Sequence, residues 1–242
     1  MTIAESLAFT ENFQTLAGNL LDAVDVILCP PFTALSSLAD ALEGSHVQLG
    51  AQDMARSTDP TYTGQISAAL LADVGCRWVM LGHWEVRRHL GDDDAVVNLK
   101  VHLAFEAGLA PILFIGEAHE EAAPLAEALE EQLVHVLEGF TTEQVAATAF
   151  VYEPEGAIGM RVPTSPAYVE AACVCIRNWL RREWGKAAAE RARIVYGGSV
   201  APEFAPGLLA CPELDGLAAT RRGRDPVTFA EIVRLIARER VG

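Results

Sequence analysis

Short runs of Val, Ile and Leu that stop at Gly or Pro alternate along this chain with longer segments of helical period, and that alternation leaves few folds open. Strands of a parallel sheet are covered by helices on both faces, so they read as near-continuous apolar runs. Seven such runs stand out: Val24–Cys29, His46–Gly50, Arg77–Leu81, Ala110–Ile115, Ala147–Tyr152, Arg193–Tyr196 and Leu214–Ala218. Eight helical patterns separate them: Ile3–Asn19, Ala34–Ala41, Gln65–Val74, Asp92–Ala107, Glu121–Leu137, Pro166–Trp184, Pro202–Leu209 and Pro226–Arg240. Several open with Pro in the first turn behind a capping residue, as at Ser165-Pro166 and Asp225-Pro226. Seven strands with eight helices, beginning on a helix, predict an α/β fold of the eightfold (β/α) barrel type whose first strand is missing or replaced. A doubly wound open sheet is the rival, but no G-x-G-x-x-G loop follows the first strand. No linker or low-complexity stretch divides the chain, so one barrel domain is expected over residues 1–242. A barrel short of one strand exposes two unpaired edges. Either another segment fills the gap, or the chain begins upstream and Met1 is an internal methionine.

Composition removes several function classes. A formal charge of −15 argues against nucleic acid, whose binding rests on Lys and Arg neutralising phosphates. It leaves room for a small phosphorylated substrate, because a few cations and backbone amides govern their own pocket. The five cysteines are scattered and form no C-x-x-C pair, which reads as reduced, mostly buried thiols. The six histidines (46, 83, 89, 102, 119 and 135) include no set on neighbouring strand ends, so neither a metal nor a cofactor is expected. No apolar run approaches the roughly 20 residues of a membrane span, and no secretion signal is visible. A cytoplasmic protein is expected.

In a barrel, chemistry sits just past the C-terminal ends of the strands. Three such positions carry interesting groups: His83 within Gly82-His83-Trp84-Glu85, Glu153 opening the loop Pro154 to Arg161, and Gly197-Gly198-Ser199. A glutamate and a neutral histidine facing each other across a barrel mouth suit proton abstraction next to a carbonyl, with the imidazole polarising the oxygen. The loop from Pro154 to Gly159 has the makings of a lid that keeps water from a reactive enediolate. Taken singly, a strand-end Glu is more often a capping or salt-bridge residue, a lone His a satisfied polar group, and Gly-Gly-Ser a turn. Their joint placement on one barrel face favours the functional reading.

Taken together and in order, a series of motifs resembles the triosephosphate isomerase family, and with it the TIM (β/α)8-type barrel. It runs from Cys29-Pro30-Pro31-Phe32-Thr33 through Gly50-Ala51-Gln52, Tyr62-Thr63-Gly64, Leu81-Gly82-His83 with Glu85, and Ile115-Gly116-Glu117. It continues through Tyr152-Glu153-Pro154, Ala157-Ile158-Gly159, Tyr196-Gly197-Gly198-Ser199-Val200 and Asp215-Gly216. The resemblance implies an aldose–ketose isomerase that interconverts dihydroxyacetone phosphate and glyceraldehyde 3-phosphate, or a related small sugar phosphate, through an enediolate. It implies Glu153 as base, His83 as electrophile and Glu85 as a supporting carboxylate. Gly159, Gly197, Gly198 and Ser199, together with Thr220 and Arg221, fall at the phosphate site. It also implies a homodimer through the loop Asp53–Gly64, which keeps the family's length.

The departures from the family pattern are specific. The Asn-Trp-Lys-Met segment that ends the family's first strand has only its methionine here, as Met1. Loss of such an electrostatic stabiliser costs about 2.7–4 kcal/mol, so a chain starting at Met1 is expected to be a poor isomerase. Thr220 and Arg221 replace two phosphate-binding glycines. Either Arg221 or Arg222 binds the anion by a guanidinium fork, or the loop is simply solvated. Gly156 stands at the lid's usual tryptophan, Met160-Arg161 at its usual Thr-Gly end, Trp84 at a serine and Phe114 at a cysteine. Gln65 and Val86 replace a charged interface pair together. The alternative function is a non-catalytic paralogue with an anion-binding barrel mouth.

Overall fold

The computed structural model describes residues 1–59, 61–118 and 123–241. Seven parallel strands form one sheet in chain order: β1 Ile27–Leu28, β2 Gln48–Ala51, β3 Trp78–Leu81, β4 Ala110–Ile115, β5 Ala149–Tyr152, β6 Arg193–Gly198 and β7 Gly216–Ala219. Each ladder is parallel to the next, as in Ile115 opposite Tyr152 and Tyr152 opposite Tyr196. Parallel neighbours require crossovers, and helices supply them. The helices are α1 Ile3–Ala17, α2 Leu35–Ala41, α3 Ala68–Asp73, α4 Asp94–Glu106, α5 Leu125–Val136, α6 Thr142–Ala146, α7 Pro166–Arg191, α8 Ala205–Leu209 and α9 Pro226–Val241. This is the TIM-barrel type of fold, with seven strands among the described residues.

The local chemistry explains the element ends. Thr2 and Glu5 form a reciprocal capping box at the start of α1, Asp93 caps α4 by accepting from the Val96 amide, and Ser165 with Pro166 opens α7. Each cap satisfies amides that a helix start leaves orphaned. The helix expected to end at Trp184 does break there: Gly185 takes φ +83° and ψ 167°, and a further helical stretch follows to Arg191. The expected count of eight helices missed α6, whose five residues are too few to show a period. The helix expected from Glu121 is described only from Leu125, and its first two residues lie outside the described residues. The strand expected over Val24–Cys29 pairs only at Ile27 and Leu28.

The core fills the space between sheet and helices. Val79, Leu81, Leu113, Ile115, Phe150, Tyr152, Ile194 and Tyr196 are buried strand residues, and Leu129, Leu133, Val169 and Ile176 meet them from the helices. The first and last helices join through aromatic packing: the Phe13 and Phe229 rings lie 4.9 Å apart, with Phe9 beside both. Burying a side chain of this size contributes about 1.5–3 kcal/mol, so α1 and α9 are firmly docked against each other. Because all seven strands run the same way, their C-terminal ends share one rim. That rim carries His83 past β3, Glu153 past β5, Ser199 past β6 and Thr220 past β7.

Candidate active site

Glu153 leaves β5 with its amide donating to the Ile115 carbonyl at 2.9 Å, so its backbone is held by the neighbouring strand. Its side chain is 4% exposed. Three glycines make room for this arrangement. A Cβ on Gly116 would stand 2.1 Å from the Glu153 carbonyl oxygen, and one on Gly197 would meet Val151 at 2.8 Å and Glu153 Oε1 at 3.2 Å. A Cβ on Gly198, whose φ is +143°, would collide with the Tyr196 hydroxyl at 2.6 Å. The glycine pair therefore clears space for Glu153 and for Tyr196. This steric role is additional to the phosphate-site role that the sequence reading gave Gly197 and Gly198.

His83 Nε2 lies 3.3 Å from Glu153 Oε2, yet the two are not aligned as a hydrogen bond, and this buried Oε2 has no hydrogen-bond partner. On the other side of the ring, Nδ1 accepts from the Glu85 amide at 3.3 Å. An imidazole that accepts at Nδ1 carries its proton on Nε2, the nitrogen facing Glu153. The Glu85 carboxylate itself is 64% exposed and 3.9 Å from Nδ1, so its backbone makes the closer contact. Phe114 meets the His83 ring edge-on at 5.0 Å, and Trp84 lies tilted 6.0 Å away.

Burial sets the two protonation states. Glu153 is pushed up to about 7, first by desolvation and second by the charge of Glu85. His83 is lowered by desolvation, with Glu85 opposing. Both shifts disfavour the charged form, as removal from water does. A neutral N–H donor thus faces a carboxyl group poised to gain or lose a proton near neutrality.

The loop after Glu153 is anchored at both ends. A 3₁₀ turn spans Glu155–Ala157, and the Arg88 guanidinium grips Glu155 with two hydrogen bonds of 2.5 and 2.7 Å. At the far end the Ser199 hydroxyl donates to the Met160 carbonyl, and the Thr164 amide donates to the Tyr196 hydroxyl at 3.0 Å. A cleft of about 420 Å³ adjoins Glu153, lined by Trp84, Arg87, Arg88, Phe114 and Glu155 among others. Gly159 sits at φ +79°, and a Cβ there would lie 3.6 Å from Arg221 Nη2. Arg222 is occupied by Glu203 at 2.6 Å, whereas the Arg221 guanidinium makes no hydrogen bond or ion pair among the described residues, and the Arg221 carbonyl accepts from the Arg224 amide. Thr220 is exposed beside it. Gly159, Ser199 and Arg221 therefore converge at the tip of the loop, while the Glu85 side chain turns outward.

Sequence reasoning missed Arg88, Glu155, Thr164 and the Tyr196 hydroxyl. The Arg88–Glu155 contact joins residues 67 apart, which no local pattern reveals. Among the described residues, no group of three or more His, Cys, Asp or Glu is disposed to hold a metal ion, and no helix is long and apolar enough to cross a membrane.

Known proteins resemble the chain in sequence and in fold. The family model for triosephosphate isomerase matches residues 1–236. A triosephosphate isomerase of Symbiobacterium thermophilum is 43% identical over 91% of this chain and 87% of its own length. One from Carboxydothermus hydrogenoformans is 39% identical over 88% and 86%. The crystal structure of triosephosphate isomerase from Bartonella henselae superposes with a TM-score of 0.83 at 28% identity, covering 94% of this chain and 92% of that one. By sequence over nearly its whole length, and by fold, the chain belongs to the triosephosphate isomerase family.

Proposed function

We propose that the chain, as one barrel domain, interconverts dihydroxyacetone phosphate and glyceraldehyde 3-phosphate through an enediolate. The observation that carries this reading is the buried, unpartnered Oε2 of Glu153 facing His83 Nε2 at 3.3 Å. The ionised Glu153 takes the proton from the carbon beside the carbonyl, while His83 Nε2–H donates to the carbonyl oxygen, where negative charge grows. His83 gives the Nε2 proton to the former carbonyl oxygen and recovers one from the neighbouring hydroxyl, while the protonated Glu153 returns its proton to the neighbouring carbon, so that hydroxyl and carbonyl exchange places. A neutral His83 suits this role, because a donor close in acidity to the enediol shares its proton without stranding a charge. The loop from Pro154 to Arg161 covers the intermediate and excludes water.

Gly159 and Ser199 offer backbone amides to the phosphate, and Arg221 supplies the cation that the two replaced glycines do not. The pairing of Arg222 with Glu203 favours Arg221 over Arg222 for that role. The non-catalytic alternative finds no favouring observation: a binding barrel has no evident use for a desolvated carboxylate beside a neutral imidazole, and the relatives named above are all triosephosphate isomerases. A second copy of the chain is the expected partner through the loop 53–64, of which Pro60 lies outside the described residues. Tyr62 is exposed there. A cytoplasmic setting accords with this chemistry. A coupled assay with glyceraldehyde 3-phosphate tests the function, alongside calorimetric binding of a phosphorylated enediolate analogue. Turnover that is lost in Glu153→Gln, with analogue binding in both proteins, supports the reading. Unchanged turnover in that variant refutes it.

A further inference from the structure

The two groups that face each other in the site stand on strands that do not touch. β4 lies between β3 and β5, so no backbone ladder links the segment of His83 to that of Glu153. The distance between their side chains must be held by something else. Glu153 is pinned to the β4 side by its amide bond to Ile115, and the Glu155 amide donates to the Glu117 carbonyl at 3.1 Å. These bonds fix height along the strand, but none reaches across to the histidine segment.

Among the described residues, one hydrogen-bonded side-chain pair makes that crossing. Arg88 lies five residues after His83, in the tight turn Val86–Leu90. Glu155 lies two residues after Glu153, at the first turn of the lid. Their bidentate pair at 2.5 and 2.7 Å fixes both distance and orientation, as a planar guanidinium fork does and a point charge does not. The Glu155 side chain is 18% exposed against 46% for Arg88, so the carboxylate is the sheltered partner and the arginine reaches in to it. The next lid residue, Gly156, has no side chain with which to anchor the turn.

We propose that Arg88 and Glu155 act as a positioning pair that ties the histidine segment to the base of the lid, setting the Glu153–His83 approach and holding the lid closed. Neither residue touches the reacting atoms. The inference rests on the reading of Glu153 as base and His83 as electrophile.

The test is a double-mutant cycle on the full chain with Arg88→Gln, Glu155→Gln and the double variant. Turnover of glyceraldehyde 3-phosphate is read together with hydrogen exchange of the amides of residues 155–161. Arg182→Gln, which breaks a peripheral pair with Glu130, is the control. Misplacement of reacting groups by about 1 Å costs on the order of a hundredfold, so partial loosening is expected to lower kcat about tenfold, with KM changed less. The double variant should match either single one, because both remove the same contact. The lid amides should exchange faster in all three and stay unchanged in the control. Losses that multiply in the double variant overturn the proposal, and so do unchanged kcat and lid exchange. Turnover retained by Glu153→Gln would instead overturn the functional reading, and lid exchange would then still decide whether the pair holds the lid.

Discussion

Replacing Glu153 with Gln should remove activity and, at alkaline pH, make the protein more stable. The carboxyl is raised from an ordinary 4.5 to about 7 by burial. Folding therefore favours the protonated form. Below pH 4.5 the group is neutral in both folded and unfolded chains and has no linked effect. Between those two values the folded chain holds a proton that the unfolded chain has lost, so stability falls as pH rises. Above pH 7 the full penalty is present, about 3 kcal/mol for a carboxyl raised from 4.5 to about 7. Gln is close in shape to the protonated acid and does not titrate. Any fixed cost of its amide is the same at every pH, and the remaining titrating groups are common to both proteins. Urea unfolding of the two at pH 5 and pH 8.5 isolates the Glu153 contribution. The difference between variant and wild type should shift by about 2–3 kcal/mol in the variant's favour on going to pH 8.5. A difference that stays constant between the two pH values would refute the claim that Glu153 is a desolvated carboxylate. The same shift predicts that kcat/KM falls on the acid side of about pH 7, where the base becomes protonated.

Other substitutions probe what surrounds that carboxylate. Gly197→Ala places a methyl 3.2 Å from Glu153 Oε1 and 2.8 Å from Val151, and should lower kcat at least about tenfold while the chain still folds, as steady-state kinetics and circular dichroism would show. Gly116→Ala is harsher, since its Cβ would overlap the Glu153 carbonyl at 2.1 Å; a loss of several kcal/mol in chemical denaturation is expected, and a wild-type midpoint would contradict it. Lys100→Met strands Asp53 and Asp92, which the buried ammonium holds at 2.8 and 2.5 Å, and should cost about 3–5 kcal/mol. That cost should shrink at acid pH, where protonation relieves Asp53, whose carboxyl is raised by desolvation. Arg221→Ala should raise KM by about tenfold with a smaller effect on kcat, and the loss should narrow in high salt, where the ionic contribution is screened.

The residues that bear the proposed chemistry were more legible in the sequence than the residues that arrange them. His83 and Glu153 announce themselves because each follows an apolar run at a strand end. A parallel sheet brings all such ends to one rim without any knowledge of tertiary contacts. The strand and helix series was legible for the same reason: buried strands and amphipathic helices impose periods on the sequence. Where period fails, so does the reading. The five residues of α6 complete little more than one turn, and the shortness of β1 depends on which backbone groups find a ladder partner, not on how apolar Val24 to Cys29 are. Arg88 and Glu155 were invisible because their meeting is a product of the fold. The pairing of Arg222 with Glu203, which favours Arg221 as the free cation, was invisible for the same reason.

The glycines show how closely the chemistry depends on steric permission. Gly116 and Gly197 flank Glu153 so tightly that a methyl group at either position displaces it, and Gly198 gives the Tyr196 hydroxyl its path to the lid. Close packing excludes water from the carboxylate, and that exclusion raises its affinity for a proton. The rise destabilises the ionised fold above neutrality but gives a base matched to the pH at which it works. Loosening the packing would lower the pKa of Glu153, stabilise the chain at alkaline pH and weaken the base together. Gly197→Ala overpacks the site instead, so its loss of kcat should come with a loss of stability at every pH.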